Sequence, residues 1–280
     1  MSEAKGSVEL NSKDKRFECS FDKVFSERTS QEGVWEFVKS AVAEALKGYN
    51  STIFAYGQTG SGKTYTMCGP EDEEIMGPKR GIIPRALETL FAQLKASGSM
   101  FCSFTQIYNE KIFDLLRDPE MGTSLKIHND SDGSIFVKGL SQFKIRTLDD
   151  AFMLLERGAI NRATRSTTMN QASSRSHSVF QVIVTQPLKG KGGSVLQSKL
   201  NLVDLAGSEK WKVMNNMEKE HIQELQKINL SLHTLGRCIE ALAQKGQFKK
   251  QVIPTIICRL CPVNTEHKCM DKLTPLAAIV

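Results

Sequence analysis

The chain has 280 residues, 40% hydrophobic and 24% charged, which is enough apolar material for one large α/β domain and too little bias for a fibrous or disordered chain. Residues 1–16 are polar without an apolar leader, and no apolar run approaches the roughly 20 residues that span a bilayer, so a soluble cytoplasmic protein with no membrane partner is expected. Seven cysteines without even spacing read as reduced thiols, and a formal charge of +6 suits an acidic filament, a nucleic acid or a nucleotide as well as it suits plain solubility.

In chain order, β-branched and aromatic residues predict a strand at 17–21. Val34, Phe37, Val38, Ala41, Val42 and Leu46 recur at helical spacing and predict a helix over 31–46. A strand at 51–56, a helix at 84–95 and a strand at 100–108 follow. Thr147, with Asp150 three residues on, resembles a capping box with a shortened acid and opens a helix over 148–157. Strands at 177–186 and 198–204 precede a long helix over 219–243, whose stripe is Ile222, Leu225, Ile228, Leu232, Leu235, Ile239 and Leu242. Alternating strands and helices predict an α/β fold with a mostly parallel central sheet and helices on both faces. No repeat, low-complexity tract or Pro/Ser-rich linker divides the first 250 residues, so they read as one domain.

Between the strand at 51–56 and the next helical turn lies Gly57-Gln58-Thr59-Gly60-Ser61-Gly62-Lys63-Thr64, a full G-x-x-x-x-G-K-[ST] phosphate loop. Its glycines permit the sharp turn that aims backbone N–H groups at phosphate oxygens, and the helix start adds its positive end. Lys63 is expected on the β- and γ-phosphates and the Thr64 hydroxyl on Mg²⁺. No Asn-Lys-x-Asp element is present, which favours ATP over GTP.

Hydrolysis also needs a further metal contact and a group that places water. Two segments offer them. One is the hydroxyl-rich loop Asn170-Gln171-Ala172-Ser173-Ser174-Arg175-Ser176-His177; the other is an apolar strand ending in Asp204-Leu205-Ala206-Gly207-Ser208-Glu209. An aspartate ending a buried strand is where such an ATPase holds metal-bound water, and Gly207 can bring its N–H to the γ-phosphate.

The phosphate loop, the N-x-x-S-S-R-S-H loop and the D-L-A-G-S-E segment together resemble the nucleotide-sensing set of the kinesin motor family. Residues 48–56, 107–116 and Ile228-Asn229-Leu230-Ser231-Leu232 extend the resemblance over about 17–243. It implies a P-loop NTPase-type kinesin motor fold that couples Mg-ATP hydrolysis to microtubule affinity. It also implies that Ser174 meets Mg²⁺, Ser173 orders the attacking water, and Asn170 and Ser176 sense phosphate and relay protons. Arg175 and Glu209 would close over the γ-phosphate. Tyr65 would stack on adenine, its alternative being a first-turn residue packed on protein. The helix after the second sensor and the loop at 244–251, with Lys245, Lys249 and Lys250, would face tubulin, with a motor partner chain as another binding surface.

Against the family pattern, no Arg-x-Arg-Pro-like segment precedes Phe17, Trp211 stands in a stretch usually small and glycine-containing, and the chain diverges after Ile253-Pro254. The expected organisation is therefore a polar segment at 1–16, a partial motor domain at 17–252 and a divergent tail at 253–280. The first and last core strands of the fold are expected to be missing, which would leave the N-terminal strand without neighbours and an edge of the phosphate-loop strand exposed. Cys258, Cys261, His267 and Cys269 have compact zinc-like spacing but no second knuckle-like turn, and an unrelated tail is the preferred reading. The alternative function is a fragment that binds microtubules or a partner without turnover. A nucleic-acid-dependent ATPase is disfavoured because no base-stacking array is recognisable.

Overall fold

Two short connections set two of the neighbour pairs in the central sheet, and the others join strands far apart in the chain. The computed structural model describes residues 6–12, 15–71, 73–118, 123–130, 135–168, 173–188, 194–209 and 219–243. The first two strands, β1 (Ser7–Ser12) and β2 (Lys15–Ser20), pair antiparallel with each other, forming a ribbon separate from the main sheet. The N-terminal strand thus has a neighbour after all, supplied by the segment expected only to be polar.

The helix α1 (Gln31–Leu46) is capped by Ser30, whose hydroxyl accepts from the Gly33 N–H. Strand β3 (Ser51–Ala55) leads through the phosphate loop into α2 (Lys63–Cys68), and α3 (Ile82–Gln93) precedes β4 (Ser99–Tyr108). Asn109 and Glu110, both in the left-handed region at φ 51° and 57°, turn β4 into β5 (Lys111–Asp114). A second ribbon, β6 (Lys126–Asn129) with β7 (Ile135–Lys138), precedes β8 (Phe143–Ile145), which pairs with the start of β4. The helix α4 (Leu148–Thr168) leads to a 3₁₀ turn (Ser173–Arg175), β9 (His177–Pro187), β10 (Val195–Asp204) and α5 (Lys219–Ala243).

The main sheet runs β3-β10-β9-β4-β5, with β8 beside β4. Among the described strands only β3 and β10 pair parallel; β10/β9, β9/β4, β4/β5 and β4/β8 are antiparallel. The expectation of a mostly parallel sheet is corrected to a mixed one. The reason is local: β4–β5 and β9–β10 are hairpins, and a hairpin admits only the antiparallel sense. Among the described residues β3 ends the sheet, pairing only with β10.

Helices cover both faces. On one, Val38, Val42, Met67, Leu87, Leu90, Phe152 and Leu155 pack against Ile53, Cys102, Phe104, Phe180, Val182 and Leu202. On the other, Leu232, Leu235 and Ile239 of α5 pack against Phe54, Ile107, Val179 and Val203. Phe54 opposes its neighbours Ile53 and Ala55 because successive strand residues alternate sides. The end of α1 is tied down by Ser198, whose hydroxyl donates to the Ala45 carbonyl at 2.6 Å, and by Gln186, which donates to that of Leu46 at 2.8 Å.

Candidate active site

The phosphate loop turns because Gly60 and Gly62 stand at φ 78° and 91°, a conformation a side chain would strain. A Cβ at either position would meet nothing within 4 Å, so the ground above the loop is open to a phosphate chain. Gln58, Thr59, Gly60 and Ser61 are exposed, whereas Gly57 is buried at the root of the loop. Lys63 is buried and donates through Nζ to the Gln58 carbonyl at 2.8 Å. Burial lowers its pKa from the ordinary lysine value, and the Asp204 and Glu209 carboxylates oppose that shift.

The two sensor segments meet this loop. Thr64 Oγ1 donates to Asp204 Oδ2 at 2.8 Å, although 140 residues separate them. Asp204 is buried, and its Oδ1 has no hydrogen-bond partner. A hydroxyl beside a carboxylate with one unpartnered buried oxygen is an all-oxygen donor set, which suits a hard hydrated cation such as Mg²⁺. The main chain closes the arrangement: Gly207 N donates to Ser174 O at 2.7 Å, and Ser208 N to Gly57 O at 3.0 Å. The Gly207 N–H, expected on a phosphate, is thus engaged with the first sensor.

Arg175 and Glu209 have separate partners. Arg175 Nη1 lies 3.3 Å from Glu224 Oε2 of α5. Glu209 accepts from Thr59 N at 2.8 Å and from the Thr59 hydroxyl. Burial works to raise the Glu209 carboxyl, but the Thr59 hydrogen bonds and the Lys63 charge outweigh it and leave it below the usual range. Ser176 is fully buried and accepts from Gln106 Nε2 at 3.1 Å, facing the interior of the sheet. Ser174 is half-buried in the 3₁₀ turn with Ser173. Tyr65 is 44% exposed, and its carbonyl accepts from Gln31 Nε2 at 2.6 Å. Asn170, Trp211, the lysines Lys245, Lys249 and Lys250, and the cysteine-rich tail lie outside the described residues. Among those described, no cluster of histidine, cysteine or acidic residues suits a metal, and no helix is long and apolar enough to cross a membrane.

Sequence reasoning missed Arg162, which pairs with Asp204 at 2.7 Å, and Glu224. A signal existed for the first. Ala151, Leu155, Gly158, Arg162 and Arg165 continue one helical stripe, so two arginines occupy positions where an apolar residue is due. For Glu224, on a helix with many charges, no such signal stands out.

Comparison with known proteins gives consistent results. The Kinesin motor domain model matches residues 1–260. Kinesin-like protein KIN-12B of Oryza sativa subsp. japonica is 40% identical over 264 residues, covering 88% of this chain and 23% of that protein. Kinesin-like protein Klp61F of Drosophila melanogaster is 42% identical over 240 residues, covering 81% of this chain and 22% of that protein. The chain therefore spans under a quarter of the length of these relatives. A solved structure of a fast kinesin, described for its ATPase mechanism and interactions with microtubules, superposes with TM-score 0.80 at 35% identity, covering 93% of this chain and 73% of that one.

Proposed function

The chain belongs to the kinesin motor family, and from that premise we propose that it is a microtubule-binding ATPase of the cytoplasmic cytoskeleton, coupling Mg-ATP hydrolysis to filament affinity. The observation that carries this reading is the meeting of three distant stretches of chain: Thr64 of the phosphate loop donates to Asp204, Ser208 N to Gly57 O of that loop, and the Gly207 amide to Ser174. Mg²⁺, when bound, neutralises phosphate charge and polarises the transferred group.

In this reading the loop amides, that of Thr59 once Glu209 has left it, and Lys63 hold the phosphates, the Thr64 and Ser174 hydroxyls hold the metal, and Asp204 holds its water. Ser173 orders the attacking water, with Asn170 and Ser176 as sensing and relay positions. The exposed ring of Tyr65 offers a face to adenine. Closure pairs Arg175 with Glu209, which requires each to leave the partner described above. Lys245, Lys249 and Lys250 supply positive charge toward an acidic filament.

Phosphate release by the purified chain, with and without microtubules, tests the reading. Stimulated, Mg²⁺-dependent release is expected. Glu209→Ala should retain nucleotide binding but lose about 100-fold or more in hydrolysis; unchanged single-turnover cleavage removes Glu209 from the mechanism. The second reading, filament attachment without turnover, draws on the engagement of Arg175 with Glu224 rather than Glu209. Co-sedimentation with microtubules in the absence of any phosphate release would select it.

A further inference from the structure

Two donors converge on one oxygen of Asp204. Arg162 Nη1 reaches Oδ2 at 2.7 Å and Thr64 Oγ1 reaches the same atom at 2.8 Å, while Oδ1 stays buried without a hydrogen-bond partner. The convergence has a consequence for each group. A hydroxyl whose hydrogen is committed to a carboxylate keeps its lone pairs for a cation. A carboxylate held through Oδ2 presents Oδ1 as its receiving oxygen.

The stretch of α4 that carries the guanidinium is tied down by its neighbours. On either side of it along α4, Asn161 Nδ2 donates to the Leu115 and Arg117 carbonyls at 2.8 and 3.1 Å, and Arg165 lies over the Phe113 ring at 4.9 Å. Arg162 also reaches the Ser176 carbonyl at 3.5 Å, at the far limit of a hydrogen bond. Its side chain is 11% exposed and that of Asp204 4%, so solvent does little to screen the pair.

We propose that Arg162 is a positioning residue for the metal half of this site, orienting Asp204 so that the Thr64 hydroxyl and Asp204 Oδ1 together receive a hydrated divalent cation. The inference rests on the Mg-nucleotide reading above and adds a residue to it. A guanidinium that merely balanced a buried negative charge would matter for folding alone. One that positions Asp204 matters for the cation.

Equilibrium binding of a fluorescent ADP analogue to the purified chain, titrated with free Mg²⁺ and repeated in EDTA, separates these roles. Arg162→Gln should raise the half-saturating Mg²⁺ concentration about tenfold or more and leave affinity in EDTA unchanged, since removing a partner that orients a metal-binding group typically costs that much. Arg162→Lys, which keeps the charge but loses the rigid planar fork, should fall between wild type and Arg162→Gln. Should Arg162→Gln fail to fold, the lysine variant decides, because an unchanged Mg²⁺ requirement there overturns the proposal. Equal losses with and without Mg²⁺ also overturn it, as does tighter Mg²⁺ binding, which would make the guanidinium a competitor of the cation. Wild-type binding with no Mg²⁺ dependence would remove the functional reading along with the inference. Wild-type dependence shared unaltered by both variants removes the inference alone.

Discussion

At the scale of single residues, His177 has its tautomer assigned by its surroundings. The Ala206 N–H donates to Nδ1 at 3.0 Å, so the ring hydrogen sits on Nε2 and goes to Ser231 Oγ at 2.9 Å. Ser231 passes its own hydrogen to the Ile228 carbonyl at 2.8 Å. Burial lowers the imidazole pKa to about 4; Asp204 works against that shift and Arg162 with it. Because the folded value lies below the ordinary histidine value of 6.5, the unfolded chain takes up a proton first as pH falls. Stability from this group is complete above about pH 6.5 and is lost progressively toward pH 4. Urea unfolding at pH 7 and pH 5 should differ by roughly 2 kcal/mol more in wild type than in His177→Gln. Equal pH slopes in the two proteins would show that the ring titrates normally. The sequence reading put Ser176 in a polar loop and counted His177 both as the end of that loop and as the start of a strand. His177 does begin β9 and Ser176 lies just before it, both buried, because β9 is an inner strand covered on both faces, where alternation of polar and apolar residues no longer signals which side is wet.

At the scale of elements, α4 shows what local chemistry reveals and where it stops. The Thr147 capping box was legible, and it is reciprocal: Asp150 N donates to Thr147 Oγ1 while Asp150 Oδ2 accepts from Thr147 N and Arg146 N. The second half of the helix was not legible. Its buried face passes from Ala151 and Leu155 to Arg162 and Arg165, which are tolerated there because groups such as Asp204 and the Phe113 ring receive them. Between the halves, Gly158 faces the ring of Phe104, whose Cδ1 would lie 2.0 Å from an added Cβ. Helix propensity favours alanine by about 1 kcal/mol, yet the clash outweighs it. Gly158→Ala should therefore destabilise the chain by about 1–3 kcal/mol in chemical denaturation; stability at or above wild type would mean that α4 can withdraw from β4. Strand β1 escaped the sequence reading because short polar segments become strands only when a neighbour such as β2 pairs with them.

At the scale of the whole molecule, the α/β class and the helices on both faces were readable from periodicity, whereas the sense of the sheet depends on which connections are hairpins. The Asn109-Glu110 turn carries neither glycine nor proline, and a single asparagine, tolerant of the left-handed region, is all that announced it. Charge is also a property of the whole. A chain of net charge +6 binding an acidic filament should lose affinity as salt rises from about 0.05 to about 0.2 M, because the screening length shortens across that range. Replacing Lys245, Lys249 and Lys250 together by alanine should flatten that dependence in co-sedimentation; a slope independent of the three lysines would place the contact elsewhere.

The ties from Gly207 N to Ser174 O and from Ser208 N to Gly57 O join main-chain atoms only. Proline apart, no exchange of one side chain for another removes either N–H, so alanine in place of the serines would pass over the link between the three loops, whereas a Cβ at Gly207 would crowd the Glu209 carboxylate and the Thr59 hydroxyl. Replacing the amide of Gly207 or Ser208 with an ester, which removes the N–H and little else, is the change that would cut it. Short of proline, sequence drift at Ser174 and Ser208 can reshape the chemistry around the nucleotide while leaving the mechanical linkage whole.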